Sequence, residues 1–131
     1  MNYNDLIKKI DIKKKLLYKP YLIMEKLFRP AYDVDILSFN GNISNIIVRK
    51  RLFLNPYKKH SFSDSSEIKK YCYKIVKSLK LSYLFDIDLM VDKNNKPKLL
   101  EINPRMSGTI YITLKKLNLI NSLYKLVKKR K

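Results

Sequence analysis

The amino-acid sequence predicts an α+β fold in which an antiparallel sheet is flanked by helices. Two segments alternate polar and apolar residues with period two, and each is broken by a pair of turn-forming residues, which predicts two β-hairpins. The segment between them carries its apolar residues on one helical stripe. No internal repeat or linker interrupts this order. We therefore predict one domain, residues 1–131, with the elements helix, strand, hairpin, helix, hairpin, helix.

The N-terminal part predicts a helix followed by a short strand. From Asn4 to Leu17, apolar residues recur among lysines at about helical spacing. Pro20 would end this helix, because proline has no backbone N–H to donate. The apolar run Tyr21–Met24 is typical of a buried strand.

The first hairpin is predicted between residues 32 and 54. Tyr32–Phe39 alternates polar and apolar residues, and Ile43–Leu54 forms the second strand. Between them lies Asn40-Gly41. Asn and Gly accept the positive φ values that tight hairpin turns require, so the turn is placed there.

A helix is predicted after this hairpin, capped by Ser63 or Asp64, with Glu67 near its start. Its apolar residues share one stripe: Ile68, Tyr71, Cys72, Ile75, Val76 and Leu79. Cys72 is thus expected to be a buried small apolar residue and not a nucleophile. His60 lies in a polar stretch with no second His or Cys nearby, so we expect a solvated loop residue without a catalytic role.

The second hairpin is predicted between residues 84 and 103, with a two-residue turn at Asn94-Asn95. The remainder, residues 110–131, carries apolar residues at helical spacing and ends in a run of basic residues. It predicts one basic C-terminal helix.

The formal net charge of +18 suggests an anionic partner such as nucleic acid. The lysines, however, are spread along the whole chain, and a general residue bias explains them equally well. The tyrosines do not interleave with Arg and Gly, and no basic recognition helix stands out, so nucleic acid is not the favoured partner. Lysine or aspartate interrupts the longest apolar stretches within a few residues, and no signal-type segment begins the chain, so we expect no membrane span and a cytoplasmic location.

Three oxygen-bearing side chains are predicted to meet on one face of the second hairpin. A two-residue turn at 94–95 places Asp88 opposite Glu101, and Asn103 shares the face of Glu101 because strand side chains repeat every two residues. Two adjacent carboxylates repel unless a cation lies between them. Oxygen ligands suit Mg²⁺ or Mn²⁺, which substrate phosphates usually complete. Arg105 could then reach phosphate or carboxylate oxygens. The alternative is a solvated hairpin face neutralised by lysines.

These residues resemble a known family. Leu84–Met90, a turn, and Leu99–Gly108 are similar to the metal-binding hairpin of ATP-grasp enzymes, particularly the carbamoyl-phosphate-synthase-like and biotin-carboxylase-like members. Upstream, Tyr21–Leu27 resembles the strand and hinge that pack against adenine in that family. Tyr32–Asp35 resembles the following strand, and Val48–Arg51 the basic segment after it. Residues 20–108 carry the resemblance, which implies the C-terminal subdomain of an ATP-grasp fold.

The resemblance also implies roles for individual residues. Asp88, Glu101 and Asn103 would hold one or two magnesium ions that bridge the β- and γ-phosphates of ATP. Arg105 would be catalytic, in contact with the transferred phosphoryl group. The remaining contacts to ATP or substrate are expected from Glu25, Lys26 and Leu27 at the adenine edge, from Asp33 at the ribose hydroxyls, and from Arg49 and Arg51 at a substrate carboxylate or phosphate. The two arginines are equally well a solvated face.

In the family, ATP phosphorylates a carboxylate, and an amine or another nucleophile then displaces phosphate. A complete enzyme also needs an upstream subdomain with a lysine and a flexible glycine-rich loop over the phosphates. The only glycines here are Gly41 and Gly108, and neither lies in a run. Asp86 also stands where relatives often have Asn or Arg. We therefore expect a domain fragment, one piece of a split enzyme whose N-terminal half is a separate chain, or an inactive remnant of a ligase.

Overall fold

A computed structural model describes residues 24–53 and 55–128 of the chain. These residues form one antiparallel sheet with three helices, which confirms the predicted fold class. The strands in chain order are β1 (Phe28–Phe39), β2 (Asn42–Arg51), β3 (His60–Ser63), β4 (Tyr83–Val91) and β5 (Pro97–Asn103), and they lie in the sheet in the order β3-β2-β1-β4-β5. The helices are α1 (Ser66–Leu79), α2 (Ile110–Leu114) and α3 (Leu119–Lys128). The predicted helix 4–17 and all but the last residue of the predicted strand 21–24 lie outside the described residues.

The β1–β2 hairpin turns at Asn40-Gly41, as predicted. Both residues have positive φ, 46° and 79° respectively. The backbone N–H of Gly41 donates to the carbonyl oxygen of Leu81 at 3.1 Å. A Cβ at position 41 would lie 3.2 Å from the Cα of Lys77, so both the dihedral angle and the close approach of α1 require glycine.

Helix α1 covers one face of the sheet and confirms the predicted amphipathic helix. Its buried residues Ile68, Cys72 and Val76 pack against alternate residues of the strands. The strand residues in this core are Val34, Ile36, Val48, Phe85, Ile87 and Leu89. Each fully buried side chain of this size contributes roughly 1.5–3 kcal/mol, so this face supplies most of the apolar stabilisation.

The cap of α1 differs from the prediction. Neither Ser63 nor Asp64 caps the helix; Ser65 does, and its Oγ accepts from the backbone N–H of Ile68 at 3.3 Å. Ser63 still contributes, because its Oγ accepts from the N–H of Ser65 at 3.3 Å. Strand β3, which ends at Ser63, was not predicted, and it extends the sheet up to this cap.

The β4–β5 hairpin forms where predicted, but its turn is longer. The N–H of Asp92 donates to the carbonyl of Lys96 at 2.9 Å, which leaves three residues in the loop, and Asn95 has a φ of 60°. The register then shifts by one residue, so that Leu89 faces Leu99 whereas Asp88 faces Glu101. Leu100 is the extra residue of this bulge. The predicted pairing of Asp88 with Glu101 is confirmed, although a longer turn and a bulge together produce it.

In the described part of the chain, the other face of the sheet has an apolar core at one end only. There Leu37 and Leu84 pack against Leu119 of α3. The C-terminal segment is not the single helix predicted for residues 110–131, because it breaks between Leu114 and Leu119. Asn118 starts the second helix, since its Oδ1 accepts from the N–H of Asn121 at 2.9 Å. The rest of this face carries the polar residues described next.

Candidate functional site

Strand pairing gathers acidic residues from three adjacent strands on the face opposite α1. Residues directly opposite each other share a face, so the pairings define two rows across the sheet. The first row is Asp33, Asp88 and Glu101, and the second is Asp35, Asp86 and Asn103. The sequence predicted Asp88, Glu101 and Asn103 together; β1 adds two further carboxylates beside them.

A cavity of about 140 Å³ lies above these rows. Asp88, Glu101 and Asn103 line it, and so does Arg105 from the loop that follows β5. Tyr57 forms part of its wall and approaches Gly108, where an added Cβ would lie 3.3 Å from the tyrosine ring. The structure therefore brings all three predicted metal ligands and the predicted catalytic arginine to one opening.

The surroundings of Asp86 and Asp88 disfavour the ionised forms of both side chains. Burial, together with the charges of Asp88, Asp35 and Asp33, raises the pKa of Asp86 to about 8. Burial also raises the pKa of Asp88, to about 6, although Arg51 partly opposes this shift. Within the part of the chain that the structure describes, Oδ1 of each carboxylate has no hydrogen-bond donor. A cation beside them would satisfy both oxygens. Asp86 is thus a site residue that the sequence prediction did not include.

The other two predicted ligands lie closer to solvent. Asn103 Nδ2 donates to Glu101 Oε1 at 3.0 Å, which holds the amide and the carboxylate side by side. Among residues 24–53 and 55–128, no group of three or more His, Cys, Asp or Glu side chains is arranged to hold a metal ion. The predicted set contains two carboxylates and one amide. Such a set fits Mg²⁺, which keeps waters and takes further oxygens from phosphates.

Arg51 joins two of the acidic residues. Its Nη2 donates to Asp33 Oδ1 and, at 2.8 Å, to Asp88 Oδ2. Burial opposes ionisation of Asp33, but Arg51 and Arg49 outweigh it and hold the pKa of Asp33 below its usual range. The side chain of Arg51 is only 15% exposed, so its interpretation as part of a solvated face is wrong.

A family model described as ATP-grasp in the biosynthetic pathway with Ter operon matches residues 18–131. The chain belongs to this ATP-grasp family. The matched range contains every helix and strand that the structure describes, and ATP-grasp membership indicates ATP-dependent, ligase-like chemistry. No curated protein matches the chain. In the described part of this ATP-grasp chain, no helix is both long enough and apolar enough to cross a membrane.

His60 of the ATP-grasp chain is not the solvated loop residue that we expected. It begins β3 opposite Arg51, and its side chain is 1% exposed. Its Nε2 lies 2.7 Å from Asp33 Oδ2. Asp33 therefore contacts both Arg51 and His60, and it is 2% exposed. This position does not support the expected contact between Asp33 and ribose hydroxyls.

Arg49 is buried as well, with no exposed surface. Its guanidinium binds Asp35 on β1 and two hydroxyl side chains, Ser107 and Thr109, that follow Arg105 in sequence. The solvated-face interpretation is therefore wrong for Arg49 too. The contacts of Arg49 within the ATP-grasp chain are internal, and they connect the sheet to the loop that carries Arg105.

The predicted adenine hinge of the ATP-grasp chain lies at a second cavity. Glu25 and Lys26 line an opening of about 290 Å³ together with residues 92–94 of the β4–β5 turn. Glu25 Oε1 lies 3.2 Å from Lys98 Nζ. Lys98 pairs with Met90, which shares the face of Asp88. From Asp92 back to Asp88 the chain covers about 13 Å, so the hinge and the acidic rows lie along one face.

Proposed function

We propose that this chain forms the metal- and phosphate-facing part of a ligase site in which ATP converts a small carboxylate into an acyl phosphate. An amine or a similar nucleophile then displaces phosphate. The observation that carries the proposal is the single cavity that brings Asp88, Glu101 and Asn103 together with Arg105. Catalysis of phosphoryl transfer depends mainly on positioning and charge neutralisation, and this cavity offers groups for both.

Asp88, Glu101 and Asn103 would hold Mg²⁺ or Mn²⁺. The ion would neutralise charge on the β- and γ-phosphates of ATP. The unpartnered carboxylate oxygens of Asp86 and Asp88 support a cation at this position. So do the raised pKa values of both groups, because a nearby positive charge would favour their ionised forms.

Arg105 would contact the transferred phosphoryl group. It is exposed and lines the cavity, and one Nη1 bond to the carbonyl of Met106, at 3.0 Å, orients its guanidinium. A planar guanidinium can bind two phosphate or carboxylate oxygens at once. Arg105 would therefore hold the phosphoryl oxygens while the carboxylate oxygen attacks the γ-phosphorus and the bond to the bridging oxygen breaks, which releases ADP.

The nucleotide would extend along β4. Backbone groups of Glu25, Lys26 and Leu27 would contact the adenine edge, and the phosphates would point towards Asp88. The shared face of the hinge and the acidic rows supports this orientation. In place of a ribose contact, Asp33 would hold Arg51 beside the phosphate end of the site, because its carboxylate binds Arg51 and His60.

The glycine-rich loop that covers the phosphates in ATP-grasp enzymes would come from another polypeptide segment. The chain contains two glycines, and Gly41 lies in the β1–β2 turn against α1. Gly108 lies beside Tyr57. We propose that a segment outside these 131 residues provides the loop and its lysine, and that the small carboxylate substrate binds between the two parts.

Thermal unfolding with MgCl₂ and ATP tests this function. A ligand at 100 times its Kd stabilises the folded state by about 2.7 kcal/mol, which gives a measurable rise in Tm. We expect the rise in wild type and its loss in Glu101→Ala and Asn103→Ala. Glu67→Ala, an exposed glutamate on the opposite side of the sheet, should behave as wild type. The proposal fails if wild type shows no magnesium-dependent shift, alone or mixed with the protein encoded immediately upstream.

A further inference from the structure

Arg49 is the largest fully buried side chain in the described part of the chain. Its Nε donates to Asp35 Oδ2 at 3.0 Å, and its Nη2 lies 2.9 Å from the same oxygen. Thr113 of α2 donates its hydroxyl to that oxygen as well. Asp35, which Thr113 also contacts, thus holds the guanidinium beside the acidic rows, since Arg49 pairs with Asp33 across β1 and β2.

The outer edge of the Arg49 guanidinium faces the segment 104–109, which we name the Arg105 loop. Nη1 donates to Thr109 Oγ1 at 2.8 Å, and Nη2 donates to Ser107 Oγ at 3.1 Å. Ser107 and Thr109 are 6% and 4% exposed, whereas Arg105 is exposed. The two hydroxyls therefore anchor the loop from inside, two and four residues after the arginine that lines the cavity.

Stability alone does not account for this arrangement. A buried ion pair loses so much hydration that well-packed apolar residues of similar volume are often equally stable or more stable. The guanidinium fixes the relative orientation of the groups that it binds, because its N–H groups are held at fixed angles in one rigid plane. A guanidinium that binds Asp35 on one edge and the loop hydroxyls on the other fixes the loop relative to β1.

We propose that Arg49 is a positioning residue, which holds the Arg105 loop so that Arg105 faces the phosphates of bound ATP. Asp35 and Thr113 orient Arg49, and Ser107 and Thr109 transmit its position to the loop. Arg49 itself does not touch the ligand, because it is completely buried. This inference rests on the proposed function, since it assumes that Arg105 binds phosphate.

The test removes the loop-side acceptors and keeps the buried ion pair. In Ser107→Ala/Thr109→Val, the contact of Arg49 with Asp35 remains. Arg49→Lys would keep the charge but lose the planar fork that binds three partners, and it risks a failure to fold. Mg-ATP affinity is measured by calorimetry in four proteins: wild type, the double variant, Arg105→Ala, and the triple variant that combines them. We expect the double variant to bind roughly tenfold more weakly than wild type.

The decisive comparison is between the two backgrounds. If Arg49 acts through Arg105, the Ser107/Thr109 changes weaken binding in the wild-type background and have no further effect once Arg105 is alanine. Equal losses in both backgrounds overturn the inference and leave the proposed function intact. A wild type that does not bind Mg-ATP, alone or with its upstream neighbour, overturns both.

Two further measurements separate positioning from general loss of stability. Val76→Ala weakens the core under α1, on the other face of the sheet, without touching the loop. It should lower Tm and leave Mg-ATP affinity unchanged; an affinity loss equal to that of the double variant contradicts positioning. Amide hydrogen exchange in residues 105–109 should become faster in the double variant while β1 and β2 stay protected. Unchanged exchange in the loop also contradicts the inference.

Discussion

Asp33 and Asp88 lie directly opposite each other on β1 and β4, and one guanidinium nitrogen of Arg51 reaches a carboxylate oxygen of each. Arg51 therefore provides the positive charge that two facing carboxylates need. It does not neutralise Asp88 completely, because burial still raises the pKa of that residue to about 6. Arg51 thus neutralises part of the carboxylate charge that a metal ion would neutralise at the same position.

Arg51→Met should expose this competition. Without the guanidinium, Asp88 loses the donor to its Oδ2 and Asp33 is left with His60 and Arg49, so we expect a loss of about 3 kcal/mol in the free energy of unfolding in EDTA. MgCl₂ should restore part of this loss and stabilise the variant more than wild type, because a divalent ion can take the place of the guanidinium. Urea unfolding with and without MgCl₂ measures both effects. Arg29→Met, at an exposed arginine bound to the Leu52 carbonyl, is the control. Equal stabilisation of wild type and Arg51→Met by MgCl₂ would contradict competition.

Asp86→Asn should stabilise the metal-free protein at high pH. Burial and neighbouring carboxylates raise the pKa of Asp86 from 3.8 to about 8. As pH rises, Asp86 therefore loses its proton in the unfolded state before it does so in the folded state. Its contribution to the free energy of unfolding is fully present below about pH 4 and is lost as pH rises towards 8. Asparagine carries no charge and avoids the loss.

The gain in the free energy of unfolding from Asp86→Asn should reach a few kcal/mol at pH 8, because a pKa shift of this size corresponds to an energy of that order. The gain should shrink towards zero at pH 4. Urea unfolding in EDTA at the two pH values measures it. Asp64→Asn, at a side chain that is 87% exposed, should show no comparable pH dependence. A variant less stable than wild type at pH 8 would show that the ionised Asp86 is satisfied within the fold.

The two glycines should respond differently to alanine. Gly41→Ala forces a φ of 79° on a residue with a side chain and brings Cβ against the backbone of Lys77, so we expect a loss of about 2 kcal/mol. Gly108→Ala meets only the ring of Tyr57, which is exposed and can move, so its loss should stay below about 0.5 kcal/mol. Urea unfolding of both variants, with Tyr57→Ala as the background control for Gly108, measures the contrast. Similar losses at the two positions would show that the Tyr57 contact is rigid.

The thiol of Cys72 should be unreactive in the folded protein. Burial raises its pKa to about 12, so only about one molecule in ten thousand carries a thiolate at pH 8. Iodoacetamide should therefore add slowly in buffer and completely in urea, and mass spectrometry counts the adduct at this single cysteine. Fast labelling without urea would place Cys72 outside the core of α1.

Local patterns predicted much of this fold. Alternation around Asn40-Gly41 indicated the first hairpin, and the apolar stripe that contains Cys72 indicated α1, because both signals depend on residues close in sequence. The break before α3 was also readable, since Asn118 is a favourable cap immediately before Leu119, but the continuous apolar stripe concealed it. The pairing of Asp88 with Glu101 was correct, although the assumed turn was one residue too short.

The buried arginine and histidine were not readable in the same way. The burial of Arg49 depends on distant partners as well as on Asp35, because Ser107 and Thr109, 58 and 60 residues away, bind its guanidinium. His60 depends on Asp33, 27 residues away. In β3, His60 and Phe62 alternate with Ser61 and Ser63. This period-two pattern covers four residues, which is too short to identify a strand from the sequence. Polar residues buried by distant partners therefore look like surface residues in the sequence.

The extra residue in β5 has a consequence for reading related chains. Leu99 and Ile102 both pack towards α1, although residues three positions apart point to opposite faces in a regular strand. They share a face here because the bulge at Leu100 adds one residue to β5 that has no partner on β4. A relative with a shorter hairpin arm could omit this unit and still direct the same acid outwards. Counting residues between two acids is therefore an unsafe way to match ligands across such sequences, and the phase of the neighbouring apolar residues is the better guide.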